Sequence, residues 1–222
     1  MEYIHNTEQF QFHNTVVALG KFDGMHKGHQ LIFDELIQYK QLGYQAAVFS
    51  FDRPPLNMLK HKHMRVIYTT NEKIKLLARR GIDIYIEHPF TDEFSHLSPE
   101  DFVIKVLLEK TGMKVLVGGD DCGFGYKRQG NVELLERMSK EYDFKLIVIP
   151  KLELEGEIVS STRIRRLLSE GKVEEANRLM EDPFMICGPV VHGNHMGAEV
   201  LQMPTANQIP LEDKLLPPNG VY

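Results

Sequence analysis

Two histidines, His26 and His29, follow a glycine-containing turn in the segment GKFDGMHKGHQ. At the start of a helix, this spacing allows both imidazoles to share one face and to point into the same crevice. The positive end of the helix would favour phosphate oxygens there, and both rings could donate hydrogen bonds to a phosphoryl group that gains charge. A zinc pair or two solvated histidines would fit the same spacing.

A glycine-rich turn containing Gly20 and Gly24 precedes the histidines. Such a turn at the end of a strand lets backbone N–H groups come close to phosphates. The segment around the histidines is therefore a candidate phosphate-binding site.

A second candidate phosphate site is the segment VSSTRIR, in which Ser160 or Ser161 is a plausible N-cap of a helix. Its hydroxyls, the free N–H groups of the helix and an arginine fork could hold the β- and γ-phosphates of a nucleotide. A capped helix with an exposed arginine face is the alternative interpretation.

A third segment, 118–131, has the sequence GGDDCGFGYKRQGN and combines glycines with two carboxylates and aromatic residues. A loop of this composition after a strand suits the binding of a nucleotide or a ring, although a tight turn explains the glycines equally well.

The elements that must position these segments alternate between strands and helices. Predicted strands cover 15–20, 46–51, 82–86, 114–117 and 144–150. Predicted helices cover 29–42, a stretch from a capping box of Thr69 and Glu72 to Gly81, a stretch from Ser98 to Gly112, and 132–142. This alternation predicts an α/β fold, a Rossmann-like doubly wound parallel sheet whose ligands bind beyond the carboxyl ends of the strands.

Composition and charge narrow the class of protein. The 222 residues carry 26 basic and 31 acidic side chains, a formal charge of −5, so we expect no nucleic-acid partner. The two cysteines lie far apart and form no CxxC pair, which fits a reducing compartment. The N-terminal segment does not read as a signal peptide, and no apolar run reaches the ~18 residues of a membrane span. We therefore predict a cytoplasmic protein without a membrane partner.

Taken together, the first two segments resemble the HxGH nucleotidylyltransferase superfamily. More closely, GKFDGMHKGHQ resembles the GxFDGxHxGHQ signature of prokaryotic bifunctional FAD synthetases, which join an FMN adenylyltransferase module to a riboflavin kinase module. VSSTRIR is similar to their SSTxIR motif, and 119–125 resembles their GxDFxFG loop, with Asp121, Phe124 and Gly125 matching. The segments VVHG (190–193) and MPTAN (203–207) are similar to the start of the riboflavin kinase module.

The resemblance implies two domains. Residues 1–182 would form the FMN adenylyltransferase domain, and 183–222 the N-terminal part of a riboflavin kinase-like β-barrel. In the family the catalytic glutamate of the kinase lies well downstream of the PTAN loop, whereas this sequence stops at Tyr222. We therefore expect a truncated barrel and no riboflavin phosphorylation by this chain as it stands.

The resemblance also implies substrates and site residues. ATP and FMN would react to give FAD and pyrophosphate, with Mg²⁺ bridging the nucleotide phosphates and riboflavin as a further substrate of the family. The implied catalytic residues are His29, His26 and Arg165. The implied ATP-binding residues are Gly20, Phe22, Asp23, Gly24, His26, His29, Ser161, Thr162, Arg163 and Arg165. Asp52, Asp121 and Phe124 would lie on the flavin side, and Thr205 and Asn207 would bind the nucleotide and Mg²⁺ of the kinase module.

Three departures from the family pattern keep other functions open. The family's FDPHP is FDRPP here, with Pro54 in place of its histidine, Cys122 replaces an aromatic residue of the loop, and the arginine before the PTAN loop is missing. One alternative is a non-catalytic flavin- or nucleotide-binding regulator. Another is an adenylyltransferase for a different small molecule, such as phosphopantetheine or nicotinate mononucleotide. His61 and His63 are interpreted as part of a solvated basic loop.

Overall fold

A computed structural model describes residues 1–52, 65–191 and 206–222 of the chain. The predictions made for Arg53, Pro54, His61, His63 and Thr205 lie outside the described residues.

The centre of the fold is a six-stranded, fully parallel sheet with the strand order β1-β4-β3-β2-β5-β6. Its strands are β1 (Glu2–His5), β2 (Thr15–Leu19), β3 (Gln45–Phe51), β4 (Ile84–His88), β5 (Met113–Gly119) and β6 (Lys145–Ile149). From β2 the chain moves outward through β3 and β4, and then returns to the other side of β2 with β5. The order of the strands therefore reverses between β2 and β5, which confirms the predicted doubly wound fold and makes their carboxyl ends the expected ligand site.

Helices cover both faces of this sheet. They are α1 (Lys27–Gln41), α2 (Thr70–Arg79), α3 (Asp92–Ser95), α4 (Pro99–Asp101, followed by a π-helix at Phe102–Leu108), α5 (Val132–Glu141), α6 (Ser161–Ser169) and α7 (Val173–Leu179). Successive side chains of β2 point to opposite faces, so Val16 and Ala18 enter one apolar core while Val17 and Leu19 enter the other. Burial on both faces explains why this strand is an unbroken apolar run.

Two of the sequence-predicted helix starts, at Thr69 and Ser98, are confirmed in detail. Thr69 and Glu72 form a capping box, in which the Thr69 hydroxyl accepts a hydrogen bond from the Glu72 backbone N–H and the Glu72 carboxylate accepts one from the Thr69 N–H. Ser98 caps α4, with Pro99 at the first helical position. The sequence did not predict the edge strand β1, the hairpin of β7 (Glu153–Leu154) and β8 (Glu157–Ile158), or helix α7.

The C-terminal part pairs two short antiparallel strands, β9 (Val190–Val191) and β10 (Asn207–Gln208). They are the described strands of the segment predicted to begin a β-barrel, and the domain boundary at residue 183 stays a prediction. After β10 the chain returns to the first part of the molecule, where Val66 and Lys214 form a parallel bridge. Within the described ranges, no helix combines the length and apolar character needed to cross a membrane.

Candidate active site

The candidate site lies at the carboxyl ends of β2 and β5. The chain leaves β2 through the loop 20–26 and enters α1, whose N-cap residue His26 makes no side-chain capping bond. The first turn of α1 carries no acidic residue, so the positive end of the helix is not neutralised by a carboxylate of its own.

The loop between β2 and α1 is held in an unusual backbone conformation. Phe22 and Met25 have φ angles of 47° and 39°, which non-glycine residues rarely adopt, and both side chains are buried. The Phe22 ring packs against Phe33 and meets the edge of the His29 ring, in each case at 5.1 Å between centroids. Because its ring is enclosed, Phe22 can contact a nucleotide only through its backbone, while its side chain supports His29.

His26 and His29 stack on each other with ring centroids 3.6 Å apart and an angle of 17° between the planes. Neither Nδ1 atom, although buried, has a hydrogen-bond partner among the described residues. Burial lowers the pKa of His26 to about 4 against the partial opposition of Asp121 and Asp23, and burial lowers the pKa of His29 well below its usual value. Both rings are therefore neutral at pH 7, and each offers one N–H donor.

Asp23 and Arg165 connect the two phosphate-binding candidates directly. The buried Asp23 carboxylate accepts hydrogen bonds from the Ile67 backbone N–H (3.1 Å) and from the Arg165 guanidinium, with which it forms an ion pair. Arg165 also donates to the backbone carbonyl of Arg65. Asp23 thus orients Arg165, and each of its two carboxylate oxygens already accepts a hydrogen bond within the protein.

The second candidate segment forms the start of α6. Ser160 is its N-cap, since its hydroxyl accepts a hydrogen bond from the Arg163 N–H at 3.2 Å. Ser161 and Thr162 lie in the first turn, and a Cβ atom added to Gly24 would be 3.4 Å from the Ser161 hydroxyl. The helix start and the histidine loop, which are distant in sequence, are therefore in contact.

Arg163 points away from this contact toward the β7–β8 hairpin. Its guanidinium donates to the carbonyls of Leu154 (3.1 Å) and Glu157 (3.2 Å) and pairs with the Glu157 carboxylate at 3.1 Å. The side chain holds the hairpin in place, in contrast to the phosphate contact implied by the sequence motif.

The loop after β5 places its candidate residues in different environments. Asp121 is exposed and forms an ion pair with Lys151 at 3.2 Å. Phe124 is buried, packs against Phe102 at 5.9 Å between centroids, and forms a backbone bridge with Gly130. The Phe124 ring is part of the core, so a flavin could contact this loop through Asp121 without displacing core packing.

Asp52 follows β3, next to an aromatic group that sequence reasoning missed. Its carboxylate accepts a hydrogen bond from the Phe90 N–H at 2.8 Å. Nearby, the buried His88 lies 4.3 Å from Phe94 between centroids, and its Nε2 has no partner among the described residues. The segment EHPF directly after a predicted strand is the signal that could have identified this group.

Asn207, the described member of the predicted kinase-module pair, lies in β10 opposite Val191. Over the residues that the structure covers, no group of three or more His, Cys, Asp or Glu side chains could hold a metal ion. Among the residues with described positions, the His26–His29 pair therefore has no third protein ligand of the kind a zinc site requires.

Comparisons with known proteins identify the family of the chain. The sequence model of the FAD synthetase family matches residues 8–163, and that of the riboflavin kinase family matches 180–222. A bifunctional riboflavin kinase/FMN adenylyltransferase of Buchnera aphidicola subsp. Schizaphis graminum is 39% identical over 99% of this chain and 70% of its own length. The protein of the same name from Listeria monocytogenes is 36% identical over 99% of this chain and 71% of its own length.

Among solved structures, a crystal structure from Streptococcus pneumoniae titled as a macrolide-efflux protein superimposes with a TM-score of 0.83 and 32% identity. It matches 99% of this chain and 72% of that one. The fold and the sequence matches lead to the same assignment: the chain belongs to the FAD synthetase family, in the bifunctional form that also carries riboflavin kinase sequence.

Proposed function

We propose that this chain transfers AMP from ATP to FMN, giving FAD and pyrophosphate. The observation that carries the proposal is the stacked pair of His26 and His29 at the positive end of α1, with buried Nδ1 atoms and lowered pKa values, next to a loop that contacts the start of α6. Family membership supports the identity of the substrates.

In this reaction an oxygen of the FMN phosphate attacks the α-phosphorus of ATP in line. A new P–O bond forms while the bond between the α-phosphorus and the bridging oxygen breaks, and pyrophosphate leaves with the electron pair. The FMN phosphate is already anionic, so the protein does not need to supply a strong base. Its contribution is positioning and stabilisation of the charge that develops on the phosphoryl oxygens.

The two histidines would bind the α- and β-phosphates. As neutral rings each gives one N–H donor, and their buried, unpartnered Nδ1 atoms lie where a polar ligand would relieve the cost of burial. Gly20 and Gly24 shape the loop in front of them, where the backbone can approach the nucleotide.

Arg165 would bind the pyrophosphate that leaves. A guanidinium has five N–H donors, and the contacts to Asp23 and Arg65 occupy only part of them. Held by those two contacts, the remaining donors have a fixed direction, which is what charge stabilisation in a transition state requires. Ser161 and Thr162 add the hydroxyls and N–H groups of the first turn of α6.

Mg²⁺ would arrive with ATP as part of the substrate and would be held mainly by phosphate oxygens and water. Asp52 and Asp121, at the carboxyl ends of β3 and β5, are the proposed contacts on the flavin side.

For the second segment we propose that Thr205 and Asn207 contact the nucleotide and Mg²⁺ of a kinase site, on the basis of the riboflavin kinase match. The cytoplasmic location of the chain stays a prediction.

The direct test incubates the chain with FMN, ATP and Mg²⁺ and follows FAD by chromatography. His29→Ala should lower kcat by about a hundredfold or more, because removal of one charge-stabilising donor costs ~3 kcal/mol of barrier. His13→Ala changes a histidine that is exposed, and should keep wild-type turnover.

Three outcomes separate the alternatives. A wild-type chain that binds FMN or ATP without producing FAD would be a regulator. Turnover with nicotinate mononucleotide or phosphopantetheine, and none with FMN, would indicate a different adenylyltransferase. Formation of FMN from riboflavin would show that the second segment is active as a kinase.

A further inference from the structure

Residues 65–67, here called the bridging segment, connect the candidate active site to the C-terminal part of the chain. On the side of the site, the carbonyl of Arg65 accepts a hydrogen bond from Arg165. On the same side, the N–H of Ile67 donates to the Asp23 carboxylate at 3.1 Å. The bridging segment is therefore a direct partner of Arg165, the proposed pyrophosphate contact, and of Asp23, which orients Arg165.

Three further backbone groups of the bridging segment bond to residues 213–215. The Val66 N–H donates to the Asp213 carbonyl (2.7 Å), and the Val66 carbonyl accepts from the Leu215 N–H (2.8 Å). The Ile67 carbonyl accepts from the Lys214 ammonium at 2.6 Å. The backbone groups of one short segment are thus divided between the site and the C-terminal part.

Lys214 is the centre of this second set of contacts. It is fully buried, and its ammonium donates to three acceptors, the Ile67 carbonyl, the Glu72 carboxylate and the Met185 carbonyl, each at 2.6 Å. These contacts use all three donors of a lysine. The ammonium also lies 4.4 Å from the centroid of the Phe184 ring.

A buried ion pair such as Lys214–Glu72 is a weak source of net stability, because the cost of removing both charges from water offsets much of their attraction. What such a pair does supply is a defined geometry, since each donor is satisfied in only one arrangement. Here the geometry that it defines is the position of the Ile67 carbonyl. The N–H of the same residue holds Asp23, and through Asp23 it fixes Arg165.

We propose that Lys214, which lies in the segment matched to the riboflavin kinase family, is a positioning residue for adenylyl transfer. It fixes the bridging segment, which holds the Asp23 carboxylate and the Arg165 guanidinium in the direction that the reaction needs. This inference rests on the proposed function of the first site. It also means that the second segment contributes to the architecture of that site.

The first test compares kcat and KM of the full chain carrying Lys214→Met with those of the wild type. We expect kcat to fall about tenfold or more, since small displacements of a positioning group have effects of this size, while KM for FMN stays close to the wild-type value. Lys105→Met removes an exposed ion pair with Asp101 and is the matched control with wild-type kcat. Should Lys214→Met not fold, the double variant with Glu72→Gln, which removes both charges, is measured in its place.

The second test separates positioning from a general structural role. If Lys214 acts through Arg165, Lys214→Met should change kcat by less than about twofold in an Arg165→Met background. An equal loss of kcat in both backgrounds, or wild-type kcat in the single variant, would overturn the inference.

Hydrogen exchange of the Ile67 amide gives an answer that does not depend on FAD formation. Its protection should fall in Lys214→Met, and unchanged protection would overturn the inference. If the wild-type chain makes no FAD, the proposed function is contradicted. The exchange measurement still tests the positioning role of Lys214 in that case.

Discussion

At the scale of single residues, burial determines the charge of the two histidines at the crevice. His26, whose pKa burial lowers to about 4, stays neutral in the folded chain at a pH where an unfolded histidine takes up a proton. Because the unfolded state then binds more protons, the free energy of unfolding falls as the pH drops from about 6.5 toward 4, and it is independent of this group above about pH 7. His29, with its pKa lowered well below the usual value, adds to the effect in the same direction.

We therefore predict that His26→Gln flattens this pH dependence. The free energy of unfolding in urea should fall between pH 7 and pH 5 in both proteins. The fall should be larger in the wild type than in His26→Gln, by about 2 kcal/mol. His13→Ala, at an exposed site, should keep the wild-type slope. Since anionic phosphates favour the protonated ring, saturating ATP should reduce the wild-type slope. Identical slopes for the wild type and His26→Gln would contradict the assignment of a depressed pKa.

At the scale of elements, helix α6 presents two arginines to two different neighbours. Arg165 faces the histidine loop through Asp23, and Arg163 faces the β7–β8 hairpin. We predict that Arg163→Ala lowers the melting temperature by about 2–4 °C, the effect of ~1 kcal/mol in a protein of this size, and changes kcat less than about threefold. Arg165→Ala should instead lower kcat by about a hundredfold.

Steady-state kinetics and thermal unfolding of the two variants, measured side by side, decide between these roles. A large loss of kcat in Arg163→Ala, together with a kcat near the wild-type value in Arg165→Ala, would contradict both assigned roles.

The same elements show what the sequence could predict. Strands buried on both faces are continuous apolar runs, so β2 and β3 were recognisable, and the reversal of strand order between β2 and β5 places a ligand site by a general rule. The capping box at Thr69 and the cap at Ser98 depend only on local side-chain chemistry, and both are confirmed. Short elements such as the β7–β8 hairpin have too few residues to show a periodicity.

The direction of side chains within a motif could not be predicted in the same way. Arg163 and Arg165 belong to one motif, yet only tertiary contacts decide that the first holds a hairpin and the second meets Asp23. Phe22 and Phe124 occupy family-like positions, and the two cores that enclose their rings are assembled from residues far away in the sequence. Motifs therefore predicted the candidate site, while the packing around it decides which side chains of each motif face the other segments.

At the scale of the whole molecule, Glu72 links the helix that it caps to the C-terminal part of the chain. Its buried carboxylate accepts from the Thr69 N–H inside the capping box, from Lys214 at 2.6 Å, and from the Cys187 N–H at 2.8 Å. A capping residue is usually replaceable at a cost of about 1 kcal/mol, but this one also neutralises a buried ammonium. The capping box that the sequence predicted is therefore also a contact between two parts of the molecule matched to different families.

This arrangement predicts strong coupling between Glu72 and Lys214 in unfolding experiments. Lys214→Met leaves the Glu72 carboxylate buried without its cation and should lower the free energy of unfolding by about 3 kcal/mol or more. Glu72→Gln leaves the ammonium without its carboxylate and should have a cost of similar size, whereas the double variant should cost clearly less than the sum of the two. Urea unfolding of the four proteins, followed by circular dichroism, measures this cycle. Additive losses would mean that the two side chains contribute independently and that the C-terminal part is attached by other contacts.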